Sequence, residues 1–351
     1  MKRYCLDGKR AGEIAAAIPG VSVCVVGDLC LDLYWHADMR RSRLSRETPH
    51  FPLPIVKETC TPGAGGNVVQ NILALGVKRL FPVSVVGDDW RGRLLLDWME
   101  KHGVDCSGIV QSGSRVTPAY CKPIRHGISP VTYEDPRLDF ENFEAIDGET
   151  EQRLLAALEK AAAQADVIAV CDQFDFGVVT GKVRECLARW AEKKPVVADS
   201  RENLRLYQGL ILKPNEVEAA AALGEPPGRS MDVQGCVRAA EALQKRNGAP
   251  VIVTLGEQGA AWCGGDDAWF VPTRKAEGEV DPVGAGDTFL SAFCCAFAAG
   301  AKGWEALGFA NAASGVTVKK MGTTGTASPA EILEKVKENT IHGETACDHP
   351  S

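Results

Sequence analysis

The chain has 351 residues, of which 45% are hydrophobic and 24% charged, and carries a formal net charge of −7. That is enough apolar material for one large α/β domain or two smaller ones. The acidic balance excludes a nucleic-acid binder, which needs a broad basic face. The 13 cysteines are odd in number and irregularly spaced, with no CxxC pair, so neither a disulfide framework nor a structural zinc site is expected. Glu13, Pro19 and Gly20 interrupt the early apolar residues, and the richest apolar run, 289–301, is too short for a bilayer. A cytoplasmic protein with no membrane partner is the expectation.

In chain order, the first buried strand is predicted at 21–26 and ends in Gly27-Asp28, with Asp32 a few residues on. In open α/β sheets ligands gather just past the C-terminal ends of strands, and carboxylates there suit sugar hydroxyls. A solvated turn is the plainer reading. The stretch 33–60 is rich in Arg and Pro, and its Arg41, Arg43 and Arg46 could meet an anionic substrate. Gly63-Ala64-Gly65-Gly66-Asn67 then opens a helix predicted over 67–75. It matches neither GxGxxG nor a P-loop, but it permits close backbone approach to a polyhydroxy ligand, with the Asn67 amide both donating and accepting.

Further strands are predicted at 80–86, 167–171, 196–199, 210–213 and 251–255. Helices are predicted at 90–102, 151–165, 183–192, 216–223 and 233–246. The alternation implies a mostly parallel sheet with helices on both faces. The stretches 33–60 and 117–140 break that rhythm and read as a small β lid over the sheet's C-terminal edge. Residues 1–341 would form one unit, and the polar stretch 342–351 is expected to be disordered. Asn215 after Pro214 opens the helix as a cap, with Glu218 one turn in as a water-mediated partner for Mg²⁺ in the functional reading, while Thr254 and Gly256 end the strand at 251–255.

Asp281-Pro282-Val283-Gly284-Ala285-Gly286-Asp287, running into an apolar helical stretch from Thr288, carries the most chemistry. Gly284 and Gly286 can take backbone angles closed to other residues, so their N–H groups and that of Ala285 can converge on an anion. The helix behind adds unpaired N–H groups and a positive dipole end. A carboxylate at Asp287 would repel that anion unless it faced a proton donor such as a substrate hydroxyl. The arrangement points to phosphoryl transfer; an ordinary helix cap is the plain alternative.

Together these segments resemble the ribokinase-like (PfkB) carbohydrate kinases. The run 63–76 is similar to the family's first signature and 281–287 to its second, with Asn215–Glu218 as its NxxE motif and Asn311-Ala312-Ala313 as the segment beside adenine. Within the family, 26–32, 137–141 and 309–315 are most similar to the kinase domain that phosphorylates a heptose 7-phosphate. No HxGH string is present, so a fused nucleotidyl-transferring domain is not expected. The resemblance implies ATP-dependent phosphorylation of a sugar or sugar-phosphate hydroxyl. Asp287 would act as base, with Gly284, Ala285 and Gly286 as anion hole. Asp28, Asp32, Gly63 and Asn67 would hold the sugar, and Asn215 and Glu218 would serve Mg²⁺ through water. Thr254, Gly256 and Asn311 would border the nucleotide.

The resemblance further implies K⁺ near Asp281 and the Val283 carbonyl. A lid also exposes a sheet face, which the pairing of two lids into a homodimer would cover. The departures from the family pattern are Pro282 and Val283 where threonines are common, Ala64 for a glycine, and no lysine in 172–177. The alternatives are a nucleoside or other small-sugar kinase, or a degenerate kinase that only senses a ligand.

Overall fold

The computed structural model describes residues 2–226, 231–322 and 325–341; the expectation for 342–351 lies outside them. The elements are β1 (Lys2–Arg3), α1 (Gly8–Ala17), β2 (Ser22–Gly27), β3 (Leu29–Asp38), β4 (Ile55–Ala64), α2 (Gly65–Leu75), β5 (Arg79–Gly87) and α3 (Trp90–Lys101). There follow β6 (Ile109–Ser112), β7 (Ala119–His126), β8 (Tyr133–Glu134), β9 (Leu138–Phe140), α4 (Gly148–Gln164), β10 (Val167–Asp172), α5 (Gly181–Ala191), β11 (Val196–Ser200) and β12 (Ile211–Leu212). The remainder are α6 (Glu216–Leu223), α7 (Val233–Asn247), β13 (Val251–Thr254), β14 (Gly259–Gly264), β15 (Asp267–Pro272), α8 (Ala285–Ala298), α9 (Gly303–Thr317) and α10 (Pro329–Ile341).

The main sheet runs β1-β15-β14-β13-β12-β11-β10-β2-β5-β6. From β13 to β6 every pairing is parallel, while β14 pairs antiparallel with both neighbours. Strands buried on both faces read as continuous apolar runs, which is why 21–26 and 167–171 were recognisable. Along β2 the side chains alternate between two cores. Val23 and Val25 pack with α2, α8 and α9 on one face, and Cys24 and Val26 with α4, α5 and α7 on the other. The β14–β15 hairpin was not anticipated. Its sequence, with Trp262 and Trp269 paired across a Gly264-Gly265 turn, lacks a long β-branched run.

A second sheet, β4-β3-β7-β8 with β9 paired to β7, occupies the region expected as a lid. It begins earlier than expected, so Asp32 sits on strand β3 opposite Thr61 rather than in a turn after β2. The switch between sheets occurs at Gly27, whose φ of 143° is open to glycine, and a Cβ there would lie 2.0 Å from the Cys171 carbonyl oxygen.

Candidate active site

A cavity of about 860 Å³ lies where the C-terminal ends of β10–β13 face the second sheet and the N-termini of α2 and α8. Gly284, at φ 78° and ψ 0°, turns the chain into α8, which has no side-chain cap. The Ala285 N–H is taken by the Pro282 carbonyl at 3.1 Å. The N–H groups of Gly284, Gly286 and Asp287 have no acceptor among the described residues. Of the three expected anion-hole donors, two are therefore open and that of Ala285 is engaged in the turn.

Asp287 stands in the first turn of α8 and lines the cavity. The Asn67 amide Nδ2 donates to its Oδ2 at 2.7 Å. Asn67 is itself buried, with its Oδ1 accepting from Asn71 Nδ2 at 3.1 Å, and Asn71 Oδ1 accepts from Thr288 on α8. This chain of amides locks the two helix starts together and leaves Asn67 one way round. Burial pushes the Asp287 carboxyl up to about 7; the Asn67 bond opposes that rise, Asp199 adds to it and Lys213 reduces it. A carboxylate held near neutrality is suited to take a proton from a hydroxyl. Ala64, just before α2, has φ 49° and ψ −128°, the one positive φ outside glycine among the described residues. The glycine missing from this turn thus leaves real backbone strain.

Sequence reasoning missed a buried ion pair at the cavity floor. Lys213 Nζ, at the end of β12, lies 2.9 Å from Asp199 Oδ2 at the end of β11, and both side chains are almost fully enclosed. Burial draws the Lys213 ammonium down, but Asp199, Glu218 and Asp287 outweigh it and leave it raised. Glu218 is pushed up to about 7, first by burial and then by Asp199, with Lys213 opposing. One lysine thus balances three carboxylates. The available signal was two opposite charges ending adjacent parallel strands, where ligands bind.

On the lid side, Asp32 accepts from Lys122 Nζ at 2.9 Å, and both line the cavity. Gly63 does not line it. A Cβ there would come within 2.5 Å of Asp32 Oδ2, so its role is to make room for that carboxylate rather than to touch a ligand. Arg137 lines the wall, stacked 3.9 Å over the Tyr120 ring and paired with Asp139, and Arg201 lines it with an exposed side chain. The arginines expected to meet an anion, Arg41, Arg43 and Arg46, do not line the cavity; Arg41 leans on Asp38. The loop 39–46 lies beyond the far end of β3, which carries it away from the opening.

On the opposite side, Asn215 and Glu218 form a reciprocal capping box. Asn215 Oδ1 accepts from the N–H groups of Val217 and Glu218, and Glu218 Oε2 accepts from the Asn215 N–H at 2.8 Å. Both also line the cavity, as do Thr254, Gly256 and Asn311. Asn311 Nδ2 is tied to the Val271 carbonyl at 3.0 Å. Val283 is at the rim, while Asp281 is set back, its carboxylate accepting from the Val283 and Gly322 N–H groups. Asp28 is not part of the cavity lining: its carboxylate is buried beneath the wall and bonded to backbone. The expectation that it contacts the sugar is corrected, because no oxygen of it faces the opening.

Residues 22–331 match the pfkB family carbohydrate kinases. The chain is 33% identical over 337 residues to the bifunctional protein HldE of Trichlorobacter lovleyi, which covers 94% of this chain and 66% of that protein. It is 32% identical to HldE of Geobacter sulfurreducens, covering 93% and 65% respectively. The chain therefore spans a little under two thirds of the length of these relatives. Among solved structures, the fold is shared with Arabidopsis thaliana ribokinase complexed with ribose and ATP, at a TM-score of 0.66 and 20% identity over 91% of this chain and 99% of that one. It is also shared with Escherichia coli phosphofructokinase-2 in complex with potassium, at 0.70 and 18% over 91% and 99%. Among the described residues no helix is long and apolar enough to cross a membrane. With the ordered signatures converging on one cavity of a ribokinase-like fold, the chain belongs to the pfkB family of carbohydrate kinases.

Proposed function

We propose that this carbohydrate kinase transfers the γ-phosphoryl group of ATP to a hydroxyl of a sugar that already carries a phosphate, with a heptose 7-phosphate as the leading candidate. The observation that carries the chemistry is Asp287, a half-buried carboxyl raised to about 7, fixed by Asn67 and flanked by open N–H groups at the mouth of α8. Asp287 would accept the hydroxyl proton, worth about 10²–10⁴-fold. The Gly284 and Gly286 N–H groups would stabilise the transferring oxygens, with Ala285 joining if its turn bond to Pro282 opens. Lys213, close behind Gly286, would balance charge beneath them.

Asp32, Asn67 and Lys122 would orient the acceptor, and Arg137 with Arg201 would grip its phosphate. The similarity of 26–32, 137–141 and 309–315 to heptose 7-phosphate kinase domains supports a heptose phosphate, and the cationic lining supports a phosphorylated acceptor independently. Thr254, Gly256 and Asn311 would border the nucleotide.

No set of three or more His, Cys, Asp or Glu side chains able to hold a metal occurs among the described residues. The donors present fit Mg²⁺ carried on phosphate and met through water by Glu218, whose capping bond uses Oε2 and leaves Oε1 for that water. When bound, Mg²⁺ supplies neutralisation of charge on the phosphate oxygens. The Val283 carbonyl, with Asp281 bracing its loop, is the proposed neighbourhood of a monovalent cation. Pairing of two second sheets is the proposed route to a homodimer, supported by exposed Ile55, Val56, Tyr133 and Leu138 on that sheet.

ADP release across free and phosphorylated sugars tests the acceptor reading. Arg137→Ala with Arg201→Ala should raise KM for a phosphorylated acceptor at least tenfold and leave free sugars unaffected. Equal effects on both classes would reject the phosphate grip.

A further inference from the structure

We propose that Asp28 is a positioning residue: its buried carboxylate fixes the loop 173–178 as the acceptor wall of the cavity, and Gln173 and Phe174 on that loop set acceptor specificity. The inference rests on the kinase reading for the word acceptor, but not for the geometry. One oxygen of Asp28 accepts from the N–H groups of Gln173 at 2.8 Å and Phe174 at 3.0 Å, and the other from Val178 at 2.8 Å. The side chain is almost wholly enclosed. A buried carboxylate left without partners is costly, so these three donors and this acceptor hold each other in place.

The backbone of Asp28 is equally committed. Its N–H donates to Cys171 at the end of β10, and its carbonyl accepts from Gly65 at the start of α2. One residue therefore ties the strand end, the helix that carries Asn67, and the loop that follows β10. The loop leaves no slack, because a Cβ on Gly177 would lie 2.5 Å from both Asp28 oxygens. What the loop delivers is specific: Gln173 and Phe174 line the cavity, and the Phe174 ring stands 6.0 Å from Tyr120, the ring that supports Arg137. An aromatic pair beside a guanidinium suits the C–H face of a sugar bearing an anionic group. The residues that this loop brings to the cavity are an amide and an aromatic ring, so this stretch of wall carries no charge.

Asp28→Asn puts an amide where an acceptor is needed, and Gly177→Ala drives a methyl into the same carboxylate by an independent route. Both are expected to raise acceptor KM at least tenfold, with KM for ATP within about twofold of the parent. Amide hydrogen exchange should accelerate at Gln173, Phe174 and Val178. Unchanged acceptor KM together with unchanged exchange at those amides overturns the proposal. If Asp28→Asn does not fold, Gly177→Ala carries the test. If the parent protein turns over no sugar, the kinase reading falls, and hydrogen exchange alone then decides whether Asp28 holds the loop.

Discussion

Two helices, α2 and α8, point their N-termini at one cavity, and they are built in opposite ways. At α8 the turn is made by Gly284 in a conformation glycine adopts freely, and the N–H groups of Gly286 and Asp287 have no acceptor among the described residues. At α2 the turn is made by Ala64 at φ 49°, and the Gly65 N–H is spent on the Asp28 carbonyl. Gly284, Ala285 and Gly286 at the start of α8 line the cavity, whereas Gly65 and Gly66 at α2 do not, and α2 presents a side-chain amide, Asn67, instead. The contrast shows that a glycine-rich helix start does not by itself make an anion site. What matters is which backbone donors stand at the cavity wall.

The largest expected effect falls on the open terminus. Asp287→Asn should lower kcat by about 10²–10⁴-fold while ADP binding, read calorimetrically, stays close to the parent. Because the folded carboxyl is raised above its unfolded value, the folded state binds more protons between the two, and stability is lost as pH rises through about 7. The substitution should therefore raise Tm at pH 8 and not at pH 4. A lower Tm at pH 8 would show that the carboxylate is a structural partner rather than a stored base.

Next in size is the ion pair beneath both termini. Lys213→Met leaves Asp199 buried without its cation, and loss of one such partner costs about 3–5 kcal/mol. Chemical denaturation should show that loss, and the acid limb of kcat should move upward as Asp287 loses a neighbour that favours its charge. At the fastened terminus, Asn67→Ala removes a hydrogen bond to a charged acceptor. That should reduce kcat near pH 7 roughly tenfold, the equivalent of about 1.4 kcal/mol, with the reduction recovered at higher pH. The smallest change is Ala64→Gly. Relief of strain of order 1–3 kcal/mol, less about 0.5–1 kcal/mol of glycine entropy, should stabilise the chain by about 1 kcal/mol without altering kcat.

Much of this was legible in the sequence where local rules suffice. The parallel strands read as apolar runs, the helix cap at Asn215 follows from Pro214-Asn215, and the Gly284–Asp287 turn carries its own chemistry. What stayed hidden needed three dimensions. Lys213 ends a strand two residues before a helix cap, and nothing local marks it as enclosed. Asp28 and Asp32 are four apart and looked alike, yet the change of sheet after Gly27 sends one under the wall and the other into the cavity. The same geometry explains why Arg137, stacked on Tyr120, replaces the cluster at 41–46 as the cationic lining.

The account turns on Asp287 being the proton acceptor, and the pH dependence of single-turnover phosphoryl transfer tests that most directly. The parent protein should show transfer rising with pH to a plateau, with a midpoint near about 7, and Asp287→Asn should lose that limb along with the rate. A limb that persists unchanged in Asp287→Asn would assign the proton to another group and contradict the central claim.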